Sequence, residues 1–331
     1  MTIYDISKKS GVSIATVSRV INNKKGVSEA TRQRVLAVME EKGYTPNAIA
    51  RGLGMNSMKT VGILCMDVAD IYLAQAVSTL ERELRRQNYD SLLCCTGGEL
   101  EAKKGYLGVL LSKRVDAIIL VGSHFLSGDT SYIESAAKQV PILLINGYVK
   151  AKNVYCVVCD DFGSVRDAVD ALIAKDRRHV LYAYDTTTYS GRQKLDGYRF
   201  ALASAGIPAD ERMVMRCRSS GIENIRGEFD RIFESELPVD AVVTSEDALA
   251  VAAVKSALAH GRAIPRDLEI IGYNNSILAR CCEPELTSVD SRVEALCMTA
   301  ISTLFGVIAG KDFPDKTTLS GELVKRYSTR L

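Results

Sequence analysis

The sequence predicts two architectures in one chain: a small all-α head of helix-turn-helix type, then a large α/β body built as two doubly wound lobes. Three observations carry this. Cap residues and apolar positions at helical spacing dominate the first 45 residues. After Lys59 the texture changes to strands alternating with helices, and the alternation runs through twice. Charge divides at the same place. Residues 1–59 hold ten Lys/Arg against four Asp/Glu, net +6, and the remaining 272 residues hold 32 against 36, net −4, although the whole chain shows only +2.

A chain of 331 residues has a prior of about two domains. With 47% hydrophobic and 25% charged residues it has the composition of an ordinary globular protein able to bury sizeable cores. No apolar run approaches the roughly 18 residues of a membrane-spanning helix. MTIYDISKKSG at the start lacks the apolar core of a signal peptide, so a cytoplasmic location is expected. The nine cysteines then read as reduced thiols. Three histidines and no tryptophan leave little for metal chemistry, and no metal or cofactor is expected.

In the head, Thr2-x-x-Asp5 fits a capping box, Ile3 and Ile6 begin a helix through Lys9, and Gly11 closes it. Ser13 can cap a second helix over IATVSRVIN, where Val17, Val20 and Ile21 form an apolar stripe. Ala15, Ser18, Arg19 and Asn22 share another face. A third helix runs from the cap candidate Ser28 through Lys42, with Val35, Leu36, Val38 and Met39 available for packing and Gly43 placed to end it. Two short helices joined through Gly11-Val12-Ser13, with a third behind, make a helix-turn-helix unit. Its second helix would offer Arg19 to guanine O6 and N7 in the major groove, while Ser13, Thr16, Ser28 and Thr31 suit phosphates. Periodicity alone leaves a second reading open, a small helical oligomerisation module with a solvated basic face.

The stretch TIYDISKKSGVSIATVSRVINNKKGVSEATRQRVLAVMEEKGYTPNAIARGL closely resembles the N-terminus of LacI-family bacterial repressors. VS-x-x-TVSRV-x-N, VS-x-x-TR-x-RV, GY-x-PN and AR-x-L follow in order at family spacing. The resemblance implies a head over 1–45 that binds double-stranded operator DNA as a homodimer through Tyr4, Ser13, Ile14, Ala15, Thr16, Ser18, Arg19, Asn22, Ser28 and Thr31. It also implies a linker over 46–58 that becomes a hinge helix on DNA, with Asn47, Ala50 and Leu53 at the duplex. An inserted leucine wedge between base steps kinks a duplex, and Gly52 and Gly54 weaken the helix in isolation.

In the body, strands are expected at 60–66, 91–96, 117–121 and 142–146, then at 154–159, 179–184, 241–245 and 269–273. Helices are expected at 72–87, 100–113 and 131–139, then at 162–175, 192–205, 222–235, 248–260 and 292–309. Ligands of such sheets collect beyond the carboxyl ends of the strands, so a cleft between the two halves is the default site. The body resembles the rest of the same family, a two-lobed fold similar to periplasmic sugar-binding proteins. The resemblance implies an effector-binding and dimerisation domain over 59–331. Lobe 1 would take about 60–158 and 290–321, and lobe 2 about 159–289 and 322–331.

By family position, the effector would meet Tyr72, Ser123, Asn146, Asp160 and Asn274, each just beyond a strand end, with Tyr72 stacking on a ring. Ser, Asn and Asp also cap and turn by habit, which is the alternative for each of them. Asp247 is expected to cap its helix near the cleft. Two positions depart from the family pattern. An arginine three residues before a Gly-aromatic pair is replaced by Lys194, and the aspartate of a GYD motif by Asn274. Lysine lacks the bidentate fork of arginine, and Arg192 stands two residues earlier as a substitute. These changes predict a less acidic cleft that prefers an anionic sugar derivative to a neutral sugar. A protein corepressor, as some family members take, is the other expected partner.

Enzyme motifs are missing: there is no P-loop, HExxH or GxSxG. Cys156-x-x-Cys159 has redox spacing but lies in an apolar strand, where i and i+3 point to opposite faces. The sequence therefore predicts a ligand-responsive repressor of carbohydrate or related catabolic genes rather than an enzyme or a transport component.

Overall fold

The computed structural model describes residues 2–22, 24–44, 57–218 and 221–331. Asn47, Ala50 and Leu53 of the expected hinge lie outside the described residues. The described chain forms two compact units. One is the N-terminal segment to Thr60 together with Arg114–Asp116, and the other is the remainder.

The head is three helices, α1 (Ile3–Ser10), α2 (Ile14–Ile21) and α3 (Glu29–Glu41). The Asp5 carboxylate accepts the Thr2 N–H at 2.8 Å, and Gly11 ends α1 at φ +68°, a left-handed conformation that favours glycine. Ser13 and Ser28 cap α2 and α3 through the N–H groups of Thr16 and Thr31. Ile6, Val17, Val20 and Val35, one or two from each helix, close a small core. Leu36 does not join it and stands 40% exposed, because its neighbour Val35 already occupies the inward face of α3.

The body contains two six-stranded sheets. In the first lobe, β1 (Thr60–Cys65), β2 (Asp90–Cys95), β3 (Ala117–Val121), β4 (Ile142–Ile145) and β5 (Val154–Cys159) alternate with α4 (Ile71–Arg86), α5 (Leu100–Ser112) and α6 (Ser131–Ala137). In the second, β6 (Val180–Tyr184), β7 (Val214–Arg216), β8 (Ala241–Thr244), β9 (Glu269–Tyr273) and β10 (Thr287–Asp290) follow α7 (Asp161–Ile173). They are interleaved with α8 (Tyr189–Ser204), α9 (Ile222–Phe233), α10 (Asp247–Ala259) and α11 (Ile277–Cys281). The chain then returns through α12 (Val293–Ile308) and β11 (Lys316–Leu319) to the first sheet, and ends with β12 (Glu322–Val324) on the second. With β11 paired to β5 and β12 to β10, each sheet is completed by a strand from the far end of the sequence. The paired strands are parallel except at β10–β12, and the central ones are buried on both faces, as parallel sheets require.

The strands and helices expected from the sequence are present, β3, β5 and β9 with the expected ends and the others within three residues of them. β7, β10, β11 and β12 were not expected. Each is only three or four residues long, and its pairing rather than its apolar content makes it a strand. α8 begins at Tyr189 rather than 192, because Thr188 caps it ahead of the apolar periodicity by accepting the Gly191 N–H. α4 and α12 pack together on the first sheet through Leu73, Ala76, Leu80, Leu296, Ala300 and Leu304. No described helix is long and apolar enough to cross a membrane.

Candidate functional site

The head presents one face of α2. Arg19, Ala15 and Ile14 are exposed on it, with Ser18 half-buried beside them, and Tyr4 of α1 is 68% exposed. No hydrogen bond or ion pair among the described residues engages the Arg19 side chain, so its guanidinium keeps its full donor set for a partner. Ser13 and Thr16 at the start of α2 lie 2.9 Å apart through their hydroxyls, and Ser28 and Thr31 repeat the arrangement on α3. Each pair sits on a helix N-terminus, where free N–H groups and the helix dipole favour an anion. Asn22 differs, since its amide is turned inward to the Ser18 carbonyl at 2.9 Å.

In the body, the carboxyl ends of both sheets meet at an open cleft of about 90 Å³. The first lobe contributes Asp70, Tyr72, Ser123, His124 and Asn146, and the second Asp185, Ser190, Lys194, Glu246 and Asn274. Asn146 follows β4 at φ +63° and Asn274 follows β9 at φ +92°. Both are held in a left-handed backbone conformation that costs about 1–3 kcal/mol and clusters at ligand sites. The Asn146 Oδ1 is buried and has no partner among the described residues, while its amide lies 3.5 Å from Ser190 on the opposite lobe. A ligand hydroxyl is the donor this oxygen needs.

Lys194 is buried, and its ammonium donates to the Ser245 carbonyl at 2.9 Å and lies 3.7 Å from the centre of the Tyr273 ring. Behind it, the Tyr273 hydroxyl donates to Asp161 at 2.6 Å. Burial pushes the Asp161 carboxyl up, and the Lys194 charge opposes that shift. Glu246 is pushed up to about 8, first by burial and then by the charges of Asp185 and Asp70. His124 is pushed down, chiefly by burial, so its ring is neutral at pH 7 and both donates and accepts. Lys103, also buried, holds the His124 carbonyl at 2.7 Å and fixes that turn.

Tyr72, Ser123, Asn146, Lys194 and Asn274 thus line one cavity, as the sequence placed them. Three expected residues do otherwise. Asp160 caps α7 by accepting the Gly163 N–H at 3.0 Å and does not line the cleft. Arg192 is exposed and donates to the Thr187 carbonyl at 2.9 Å. It cannot replace the missing arginine, because two residues along a helix turn a side chain by about 200°. Asp247 is the first residue inside α10 rather than its cap, and its buried carboxylate ties the Ser276 N–H and the Ser288 hydroxyl together. It borders only an adjoining cavity that Asp70, Tyr72, Glu246 and Asn274 also line. Of the basic residues expected at the cleft, Lys194 lines it and Arg192 does not, and Asp70, Asp185 and Glu246 line it as well. Three carboxyls face one ammonium.

Asp70, His124, Asp185 and Glu246 were missed by sequence reasoning. All stand in the loops just after β1, β3, β6 and β8, and a search of every strand end for polar residues would have found them. A larger cavity of about 710 Å³ lies on the second lobe, but Tyr198 there is already bonded to Val180, and Asp210 and Glu211 to arginines. Cys156 and Cys159 occupy different surroundings, beside Val149 and Tyr273 respectively, and do not form a redox motif.

A basic helix-turn-helix head and a two-lobed body with a polar cleft define a class of protein, the DNA-binding transcriptional regulators with a periplasmic-binding-protein-like domain. Residues 2–47 match bacterial regulatory proteins of the lacI family, and residues 169–329 match the periplasmic binding protein-like domain. The chain belongs to the lacI family, whose members regulate transcription and are not enzymes. It is 53% identical to an HTH-type transcriptional regulator of Lachnoclostridium phytofermentans over 99% of both chains. It is 32% identical to the regulator DegA of Bacillus subtilis over 99% of this chain and 98% of that one. Its fold matches the Lac repressor dimer bound to operator and the anti-inducer ONPF, with TM-score 0.88 at 23% identity over 99% of both chains. A CelR–cellobiose complex matches with TM-score 0.72 at 26% identity, also over 99% of both.

Proposed function

We propose that the protein is a dimeric, effector-controlled repressor of carbohydrate or related catabolic genes, acting in the bacterial cytoplasm on a pseudo-palindromic operator. The exposed, unengaged Arg19 on the capped helix α2 is the observation that carries the DNA-binding half. Arg19 reads base edges, and the hydroxyl pairs at Ser13/Thr16 and Ser28/Thr31 hold phosphates and fix register. Leu53 of each hinge would wedge at the operator centre. A homodimer is favoured by the bare edge strand β2, where Leu92 and Leu93 are 37% and 44% exposed. An uncovered apolar edge calls for a partner.

The effector is a small polyhydroxylated molecule of sugar type. The unpartnered Asn146 oxygen, the neutral His124 ring and the carboxyls of Asp70 and Asp185 suit ring hydroxyls, and Tyr72 offers a face beside them. Lys194 keeps donors beyond its bond to Ser245, and these can take either a hydroxyl or one ligand carboxylate. Closure of the lobes around it would couple to the operator with about 1–3 kcal/mol, equal in both directions.

Operator selection from random DNA, repeated with a panel of neutral sugars and their uronic acids, tests the reading. Wild type should enrich a two-fold symmetric site that one member of the panel strengthens or releases. Arg19→Ala should flatten the base preference, losing about 1–3 kcal/mol of discrimination, while Thr16→Ala weakens every site alike. An Arg19→Ala protein with unchanged site preference would overturn the recognition-helix assignment.

A further inference from the structure

The cleft is short of positive charge. Asp70, Asp185 and Glu246 line it, and Lys194 and the neutral His124 are the basic side chains beside them. The Lys194 ammonium is already held by the Ser245 carbonyl at 2.9 Å and the Tyr273 face at 3.7 Å, and it also has the buried Asp161 behind that ring to balance. The carboxyls on the open side have oxygens to spare. Asp185 takes the Ser245 hydroxyl on one oxygen at 3.0 Å, and Asp70 takes the Leu73 N–H on one at 2.8 Å. The Glu246 carboxyl makes no hydrogen bond or ion pair among the described residues. Two further groups mark the cavity as a seat for a ligand. Ser123, only 5% exposed, lines it with a hydroxyl that no described residue engages, and the buried Asn146 oxygen lacks a donor. Among the described residues no group of His, Cys, Asp and Glu is placed to hold a metal ion, so the missing positive charge falls to the ligand.

We infer that the effector carries an ammonium group, as an amino sugar does, seated between Glu246 and Asp185 with Asp70 beside them, an inference that rests on the effector being of sugar type. An ammonium presents three donors where a hydroxyl presents one, and its hydrogen bonds to carboxylates are roughly twice as strong as those between neutral groups. Ser123, His124 and the Asn146 oxygen take ring hydroxyls, and Lys194 donates to another. In the empty cleft, burial and then the charges of Asp185 and Asp70 leave Glu246 holding its proton up to about 8. Lys194 and Asp247 also bear on Glu246, in opposite directions. An incoming ammonium supplies the favourable charge that these neighbours deny it, so Glu246 gives up its proton as the ligand binds. A neutral sugar brings no charge and leaves the proton in place.

Calorimetry on the full-length protein with glucosamine, galactosamine and mannosamine tests this. Each is measured beside its neutral parent and its N-acetyl derivative, which keeps the nitrogen and loses the charge. One amine should bind at least about tenfold more tightly than both of its relatives. At about pH 6.5 it should release a proton, seen as a heat that varies with the ionisation enthalpy of the buffer, and its affinity should rise between about pH 5.5 and 7. Glu246→Gln should remove the proton release and most of the preference for the amine. The inference is overturned if a neutral parent or an N-acetyl derivative binds as tightly as the amine, or if Glu246→Gln keeps the full preference. If a neutral sugar or a uronic acid alters operator binding while no amine does, the inference falls and the repressor reading stands. If no sugar, uronic acid or amino sugar alters operator binding, the sugar-type effector falls and this inference falls with it.

Discussion

Lys194 shows how one side chain can alter the chemistry of a cleft. A guanidinium would make two parallel bonds to a ligand in a fixed plane, whereas the ammonium sits on the Tyr273 face and keeps rotatable donors. Charge balance therefore rests on the carboxyls around it, and Glu246 is the informative one. In the folded chain Glu246 holds its proton up to about pH 8, against an ordinary value of 4.5 when unfolded. Between those values the folded state binds more protons, so the stability it draws from Glu246 is complete below pH 4.5 and is lost as pH rises through about 8. Thermal unfolding measured between about pH 5 and 8.5 should decline more steeply for wild type than for Glu246→Gln. Equal slopes would remove Glu246 as the titrating group.

At the scale of elements, two helices set the geometry of the second lobe. Gly197 of α8 lies against the Phe162 carbonyl and the Arg166 N–H of α7, so closely that a Cβ at this position would collide with backbone. The same turn of α8 carries Lys194 into the cleft, and α7 carries Asp161 behind it. Gly197→Ala should force the two helices apart and destabilise the protein by about 1–3 kcal/mol, read as a lowered Tm. It should also weaken effector binding more than Ala substitution at an open position such as Gly227, which has nothing within contact distance. If the two variants behave alike, the α7–α8 contact does not position the site.

For the whole molecule, the division of charge sets the partner of each part. Residues 1–59 at +6 track phosphates by releasing condensed cations, and the remaining residues at −4 add no further attraction for DNA. Raising salt from about 50 to 200 mM should cut operator affinity by at least about 10³ for six or more phosphate contacts. Affinity for an uncharged effector should change little, since no counterions are displaced. Filter binding and calorimetry across the same salt series check this, and parallel salt slopes for the two ligands would argue against the division.

Much of this was legible in the residues. The capping serines at 13 and 28 and the stripe Val17, Val20 fold the head from local rules alone, and runs such as AIILV and EIIGY read directly as buried parallel strands. Family position at the strand ends pointed to Tyr72, Ser123, Asn146 and Asn274, and a departure from the family pattern pointed to Lys194 on α8; all five line one cleft. β11 and β12 were not legible, because a three- or four-residue strand is made by a neighbour more than 30 residues away in sequence. The roles of Asp160, Arg192 and Asp247 were not legible either. Helical phase aims Arg192 outward, a cap consumes Asp160, and Ser276 before α11 and Ser288 of β10 consume Asp247. What the sequence determined by itself is what depends on periodicity, capping and charge along the chain: the elements, the order of the lobes and a basic head. What only the tertiary structure decided is which polar groups face one another. That is a matter of distance in space and of shared burial, and it places Asp70, Asp185 and Glu246 around a single lysine.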